Sequence, residues 1–182
     1  MKFAVRPLAA ASATLLLVAA AAQSAAGQSA PAQSAPAKNW SAPAFKIYAQ
    51  QLSDEIMTQH PELQSVTFHG VPPGQSETYT MFAGSYPERI GNPDDPDDID
   101  VMKKGITIVD PRWHRPNDKV KRFVVQEPLR DRSGENIGLI VYAFKTANGS
   151  KGERYYTDEA MRMRDELQAR IPSYAALFEA VK

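Results

Sequence analysis

The chain has 182 residues, sets 21 Lys and Arg against 21 Asp and Glu, and contains no cysteine. Balanced charge without a Lys/Arg block interleaved with aromatics argues against a nucleic-acid partner. Without cysteine there are no disulfides, thiol nucleophiles, thiolate metal sites or cysteine-linked lipid anchor.

Lys2 and Arg6 precede an apolar run over 8–22, and Ala20-Ala21-Ala22 and Ala22-Gln23-Ser24 both fit the small-x-small cleavage rule. The run is shorter than the roughly 20 apolar residues of a bilayer span. Residues 1–24 therefore read as a signal peptide, with no stable membrane span, and the protein is expected to be periplasmic or secreted. Residues 25–40 form an Ala/Gln/Ser/Pro tract that buries nothing and reads as a disordered leader. The folded domain is expected over 41–182, long enough for a core without covalent staples. Loss of Lys2 and Arg6 leaves the mature form slightly acidic.

Ser41 and Pro43 signal a helix start, and Phe45, Tyr48, Ala49, Leu52 and Ile56 carry an apolar stripe toward Gln59. His60-Pro61 ends it. Residues 65–69 alternate, with Val66 and Phe68 on one face, and predict a strand. Residues 77–83 predict a second strand, with Tyr79, Met81 and Ala83 opposite Thr78, Thr80 and Phe82. After an irregular stretch over 84–96, Asp97 or Asp98 caps a short helix closed by Gly105. Residues 106–109 predict a third strand and 110–118 a loop. Residues 120–129 predict a fourth strand, where Pro128 marks an edge or a bulge. A turn over 130–135 leads to a fifth strand over 137–144, where Gly138 permits close approach of another backbone. After a polar loop, Thr157 caps a C-terminal helix whose stripe is Ala160, Met163, Leu167 and Ile171. Asp158–Arg162 and Glu166–Arg170 are spaced as favourable pairs on it. Pro172 stops it, and Ser173 starts a last short turn carrying Leu177 and Phe178. The order αββαβββα with short loops predicts an α+β fold. Its sheet is five-stranded, antiparallel and backed by the first helix.

This order resembles the PAS-like extracytoplasmic sensor domains of the single Cache, or PDC, family. The resemblance is carried by the first helix with its His60-Pro61-Glu62-Leu63 exit and by Arg89-Ile90-Gly91-Asn92 leading to Asp97-Asp98-Ile99-Asp100-Val101. Its most family-like block is Glu127-Pro128-Leu129-Arg130-Asp131 through Ser133-Gly134 to Ile137-Gly138-Leu139-Ile140-Val141. The resemblance implies a PAS/Cache-like sheet that binds a small molecule between the sheet and the loops over its outer face. It also implies pairing of the first helix in a homodimer. Members are normally followed by a membrane helix and an output module. The chain ends at Lys182 with neither, so a module without its own output domain, read by an envelope protein partner, is expected.

Candidate chemistry is sparse. Asp94, Asp95, Asp97, Asp98 and Asp100 are ligands of the kind Ca²⁺ takes, but the run fails the EF-hand spacing, and helix capping explains it. His60, His69 and His114 sit in no two-histidine metal motif, and there is no G-x-S-x-G. No catalytic residue, metal or cofactor is expected. The expected ligand-binding set is Tyr79, Tyr86, Arg89, Asp98, Trp113, His114 and Tyr142. The aromatics supply flat area with polar tips, Arg89 forks a carboxylate, and Asp98 pairs an ammonium or holds its loop. This site requires Arg89 and Trp113 to lie on one side of the sheet. Asn39-Trp40-Ser41 and Asn148-Gly149-Ser150 match the glycosylation pattern incidentally. The reading is a periplasmic small-molecule binding or sensing module. The alternative is an interaction or assembly module of the cell envelope with no ligand, which an exposed apolar patch on the first helix would mark.

Overall fold

Five antiparallel strands run in the order β2-β1-β5-β4-β3 in the computed structural model, which describes residues 36–146 and 150–181. They are β1 (Leu63–Gly70), β2 (Thr80–Gly84), β3 (Ile108–Asp110), β4 (Arg122–Arg130) and β5 (Asn136–Lys145). The helices are α1 (Tyr48–Gln59), α2 (Pro96–Lys104) and α3 (Glu153–Gln168). The α+β class, the element order and the five-stranded antiparallel sheet expected from the sequence all hold. The expected signal peptide, the leader up to residue 35 and Asn148 lie outside the described residues.

The pleat sorts the central strands into two faces. On one face Val66 and Phe68 of β1, Phe123, Val125 and Leu129 of β4 and Ile140, Tyr142 and Phe144 of β5 form the core. Two helices cover this face, where one was expected. α1 lies against β1 and β2, and α3 lies against β4 with Tyr156, Ala160, Met163 and Leu167 buried. The opposite, outer face carries Ser65, Thr67 and His69 of β1, Val141 and Ala143 of β5, and Val124 and Gln126 of β4.

Tertiary contacts move several boundaries. α1 starts at Tyr48 rather than near Ser41, because Ile47 is extended and bridges Ala180. The Tyr48 N–H is then satisfied by the Glu179 carbonyl at 2.9 Å, as an orphan helix-start donor requires. α2 is capped by Asp95, not Asp97 or Asp98. Asp98 instead occupies the third helical position and accepts from the Asp95 N–H at 3.3 Å. α3 starts at Glu153, so Thr157 lies inside it and donates to the Glu153 carbonyl. Arg162 pairs with Glu159 and Glu166, and Arg170 reaches across to Glu55 of α1. Pro128 lies past the last rung of the β3 ladder, Ile108 opposite Gln126, so it removes no donor from that pairing.

Candidate functional site

The outer face of the sheet floors a cleft of about 150 Å³. Ser65, Thr67 and His69 line it from β1, Val141 and Ala143 from β5, and Arg122, Val124 and Gln126 from β4. Its rim is Arg112, Tyr86, Arg89 and the acidic start of α2 with Asp95, Asp97 and Asp98. The segment bearing Tyr86 and Arg89 is fastened along β2. Gly91 N–H donates to Met81 O at 2.8 Å, Met81 N–H to Asn92 O at 3.1 Å, and Asp94 N–H to Tyr79 O at 3.2 Å. Gly91 is required there: its φ is +88°, and a Cβ would meet the Trp40 carbonyl oxygen at 2.1 Å.

A polar chain crosses the floor. Thr67 Oγ1 lies 2.7 Å from His69 Nε2, and His69 Nδ1 lies 2.7 Å from Asp94 Oδ1. Gln126 Nε2 donates to Asp98 Oδ1 at 2.7 Å. Burial pushes the Asp98 carboxyl above its ordinary range; His69 opposes this shift and the charge of Asp94 adds to it. Hydroxyl, imidazole and carboxylate stand in the order of a nucleophile relay, but Thr67 is only 6% exposed and its hydroxyl is taken up by His69.

The arginines differ in their freedom. Arg112 Nε donates to Asp110 at 2.7 Å, and Arg115 shares that carboxylate. Arg89 stacks its guanidinium over Tyr86 at 5.7 Å. Neither Arg89 nor Arg122 has a carboxylate partner among the described residues. Arg122 Nε is buried without an acceptor.

The structure brings together Tyr86, Arg89 and Asp98 of the residues expected from the sequence. Tyr79 lines a different hollow with Lys103, whose ammonium lies 5.2 Å from its ring. Trp113 stacks on Phe123 at 4.9 Å and approaches Tyr156 of α3, which sets it on the core side of the sheet, opposite Arg89. The condition that Arg89 and Trp113 share one side is therefore not met. His114 is exposed beside Trp113, whose Nε1 donates to its Nε2 at 2.6 Å. Tyr142 pairs with Val125 and is fully buried in the core. Sequence reasoning weighed His69 and set it aside for want of a metal motif, and it passed over Thr67, Arg122 and Gln126. For Thr67 and His69 the signal was available: with Ser65 they repeat at every second position, alternating with apolar Val66 and Phe68.

No protein-family model matches this sequence, and no curated protein matches it. Partial structural likeness exists to the E. coli DcuS sensor domain, at 16% identity over 64% of this chain and 71% of that one, with a TM-score of 0.37. A second is the inducer-binding domain of the Acinetobacter transcription factor PobR in complex with 3-hydroxybenzoic acid. It shows 12% identity over 68% and 97% of the two chains, with a TM-score of 0.39. A third, the Agrobacterium tumefaciens repressor BlcR, gives 12% identity over 72% and 67%, with a TM-score of 0.40. At these scores the superpositions are partial, and the reading of the cleft rests on its own side chains.

Proposed function

We propose that this chain is an exported sensing module that holds a compact anionic small molecule, a carboxylate foremost, in the outer-face cleft. The observation that carries this reading is Arg122, whose Nε donor is buried with no acceptor. A buried donor without a partner costs about 1–3 kcal/mol, and a carboxylate forked by a guanidinium removes that cost. Arg89, without a carboxylate partner among the described residues, and Arg112, fixed by Asp110, add positive charge to the same cleft. The small side chains of Val141 and Ala143 leave floor area for the ligand's apolar part.

Export rests on Lys2, Arg6 and the apolar run over 8–22. A route from the cleft to α1 is built into the fold. Gln50 of α1 donates to the Gly84 carbonyl at 3.1 Å and accepts from the Gly84 N–H at 3.0 Å, two residues before Tyr86. Ligand contacts that reposition Tyr86 and Arg89 would reach α1 through this clamp, for an envelope partner to read. Of the stripe expected on the first helix only Phe45, which lies before α1, is among the large exposed apolar side chains of the described residues, and a single side chain makes no patch there.

The test is a melting-temperature screen of the full chain, in chelator, against small mono- and dicarboxylates and amino acids. A ligand at a hundred times its Kd should stabilise the fold by about 2.7 kcal/mol. The reading expects a rise with at least one carboxylate that disappears in Arg122→Gln. Silence across the panel, or a rise that survives Arg122→Gln, overturns it.

A further inference from the structure

His69, Asp94 and Asp98 converge from three places in the chain: β1, the turn before α2, and the first turn of α2. One ligand atom from each lies within 4.8 Å of the other two. His69 Nδ1 is 2.7 Å from Asp94 Oδ1 and 4.0 Å from Asp98 Oδ2. These separations bracket the roughly 3.0–3.4 Å between neighbouring ligand atoms on a metal with bonds of about 2.1 Å.

Two observations point to a cation as the partner of this cluster. The Asp94 side chain is 1% exposed, and its Oδ2 is buried with no hydrogen-bond donor. In addition, the only cationic group within ion-pair distance of Asp94 or Asp98, among the described residues, is the His69 imidazole. Two buried carboxylates thus share one imidazole, while the arginines of the cleft are directed elsewhere or left free. Buried carboxylates are tolerated when paired or when they coordinate a metal.

We propose that His69, Asp94 and Asp98 bind a divalent ion of the Zn²⁺ class. One imidazole and two carboxylates suit Zn²⁺ better than Ca²⁺ or Mg²⁺, which take all-oxygen sets. The outer atoms of two ligands are already held, as metal ligands usually are: His69 Nε2 by the Thr67 hydroxyl and Asp98 Oδ1 by Gln126. His69 and Asp98 also line the cleft, so the ion's remaining positions face the space assigned to the anionic ligand. The site stands without that ligand, because all three of these donors come from the protein itself.

The test uses the untagged full chain, stripped with chelator and titrated calorimetrically with Zn²⁺, Mn²⁺, Ca²⁺ and Mg²⁺ in separate runs. The expected result is one Zn²⁺ per chain, with a rise in melting temperature and weaker or no binding of Ca²⁺ and Mg²⁺. Asp94→Asn, isosteric and checked for native circular dichroism, should lose at least tenfold in affinity. His69→Gln should do the same, and Asp158→Asn, on the exposed side of α3 and away from the cleft, should not. No stoichiometric binding of Zn²⁺, or unchanged affinity in Asp94→Asn, overturns the proposal. Because the carboxylate screen is run in chelator, its failure and the failure of this site are separate results.

Discussion

The Arg164 guanidinium lies 4.0 Å from the carboxyl of Glu127, which is completely buried on the core face of β4. Neither oxygen of Glu127 has a hydrogen-bond partner, and Arg164 spends its closer contacts on Asp165. Burial pushes the Glu127 carboxyl up to about 7; Arg164 pulls it down and Asp165 adds to the rise. The Tyr142 hydroxyl is likewise buried on this face, raised first by burial and then by the charge of Glu127.

These groups predict a pH-dependent stability. A carboxyl raised in the fold binds more protons folded than unfolded. Its contribution is therefore fully present below the unfolded value near 4.5 and is lost as pH rises through about 7. The loss is at most about 3 kcal/mol. Glu127→Gln keeps the shape and removes the titration. Denaturant melts should show the variant more stable than the parent at pH 8 and near it at pH 4.5.

Tyr142→Phe removes a buried hydroxyl that has no partner. The variant should be unchanged or more stable by up to about 1 kcal/mol. Because Tyr142 faces the core and not the cleft, carboxylate binding should be unaffected, as calorimetry would show.

Gly138→Ala should destabilise by about 1–3 kcal/mol. A Cβ there would sit 2.5 Å from the His69 carbonyl oxygen, which belongs to the neighbouring strand and cannot swing away. The close approach expected of Gly138 from its place in an apolar strand is thus realised, against the residue that anchors the polar chain of the cleft. Chemical denaturation and Zn²⁺ titration should both register the shift.

Trp113→Ala should lose about 2 kcal/mol, since its ring stacks on Phe123 and reaches Tyr156. Ligand affinity should be retained after correction for the unfolded fraction. A loss of affinity without loss of stability would return Trp113 to the binding site.

Why Trp113 and Tyr142 stood among the candidates is a matter of what their residue type reveals. An aromatic with a polar tip suits a pocket and suits a core, and the choice is made by the face of the strand. For Tyr142 the face follows from pairing opposite Val125, a non-local fact. For Trp113 it follows from Phe123 and from α3, which is distant in sequence.

Local chemistry in the sequence determined the sheet's strands and the ends of several elements. Apolar alternation marked β1, a continuous apolar run after a turn marked β5, the His60-Pro61 pair ended α1, and Gly105, in the left-handed conformation, closed α2. Those signals act within a few residues, so one strand of sequence suffices to read them. The tertiary structure alone decided the start of α1, because the backbone partner of Ile47 is Ala180. It alone also decided the cleft, because His69 meets Asp94 and Asp98, and Arg122 meets the same floor, only after β1, β4 and the start of α2 have been brought together by the sheet. Which charges end up buried without a partner depends on that assembly and is not encoded at any one position.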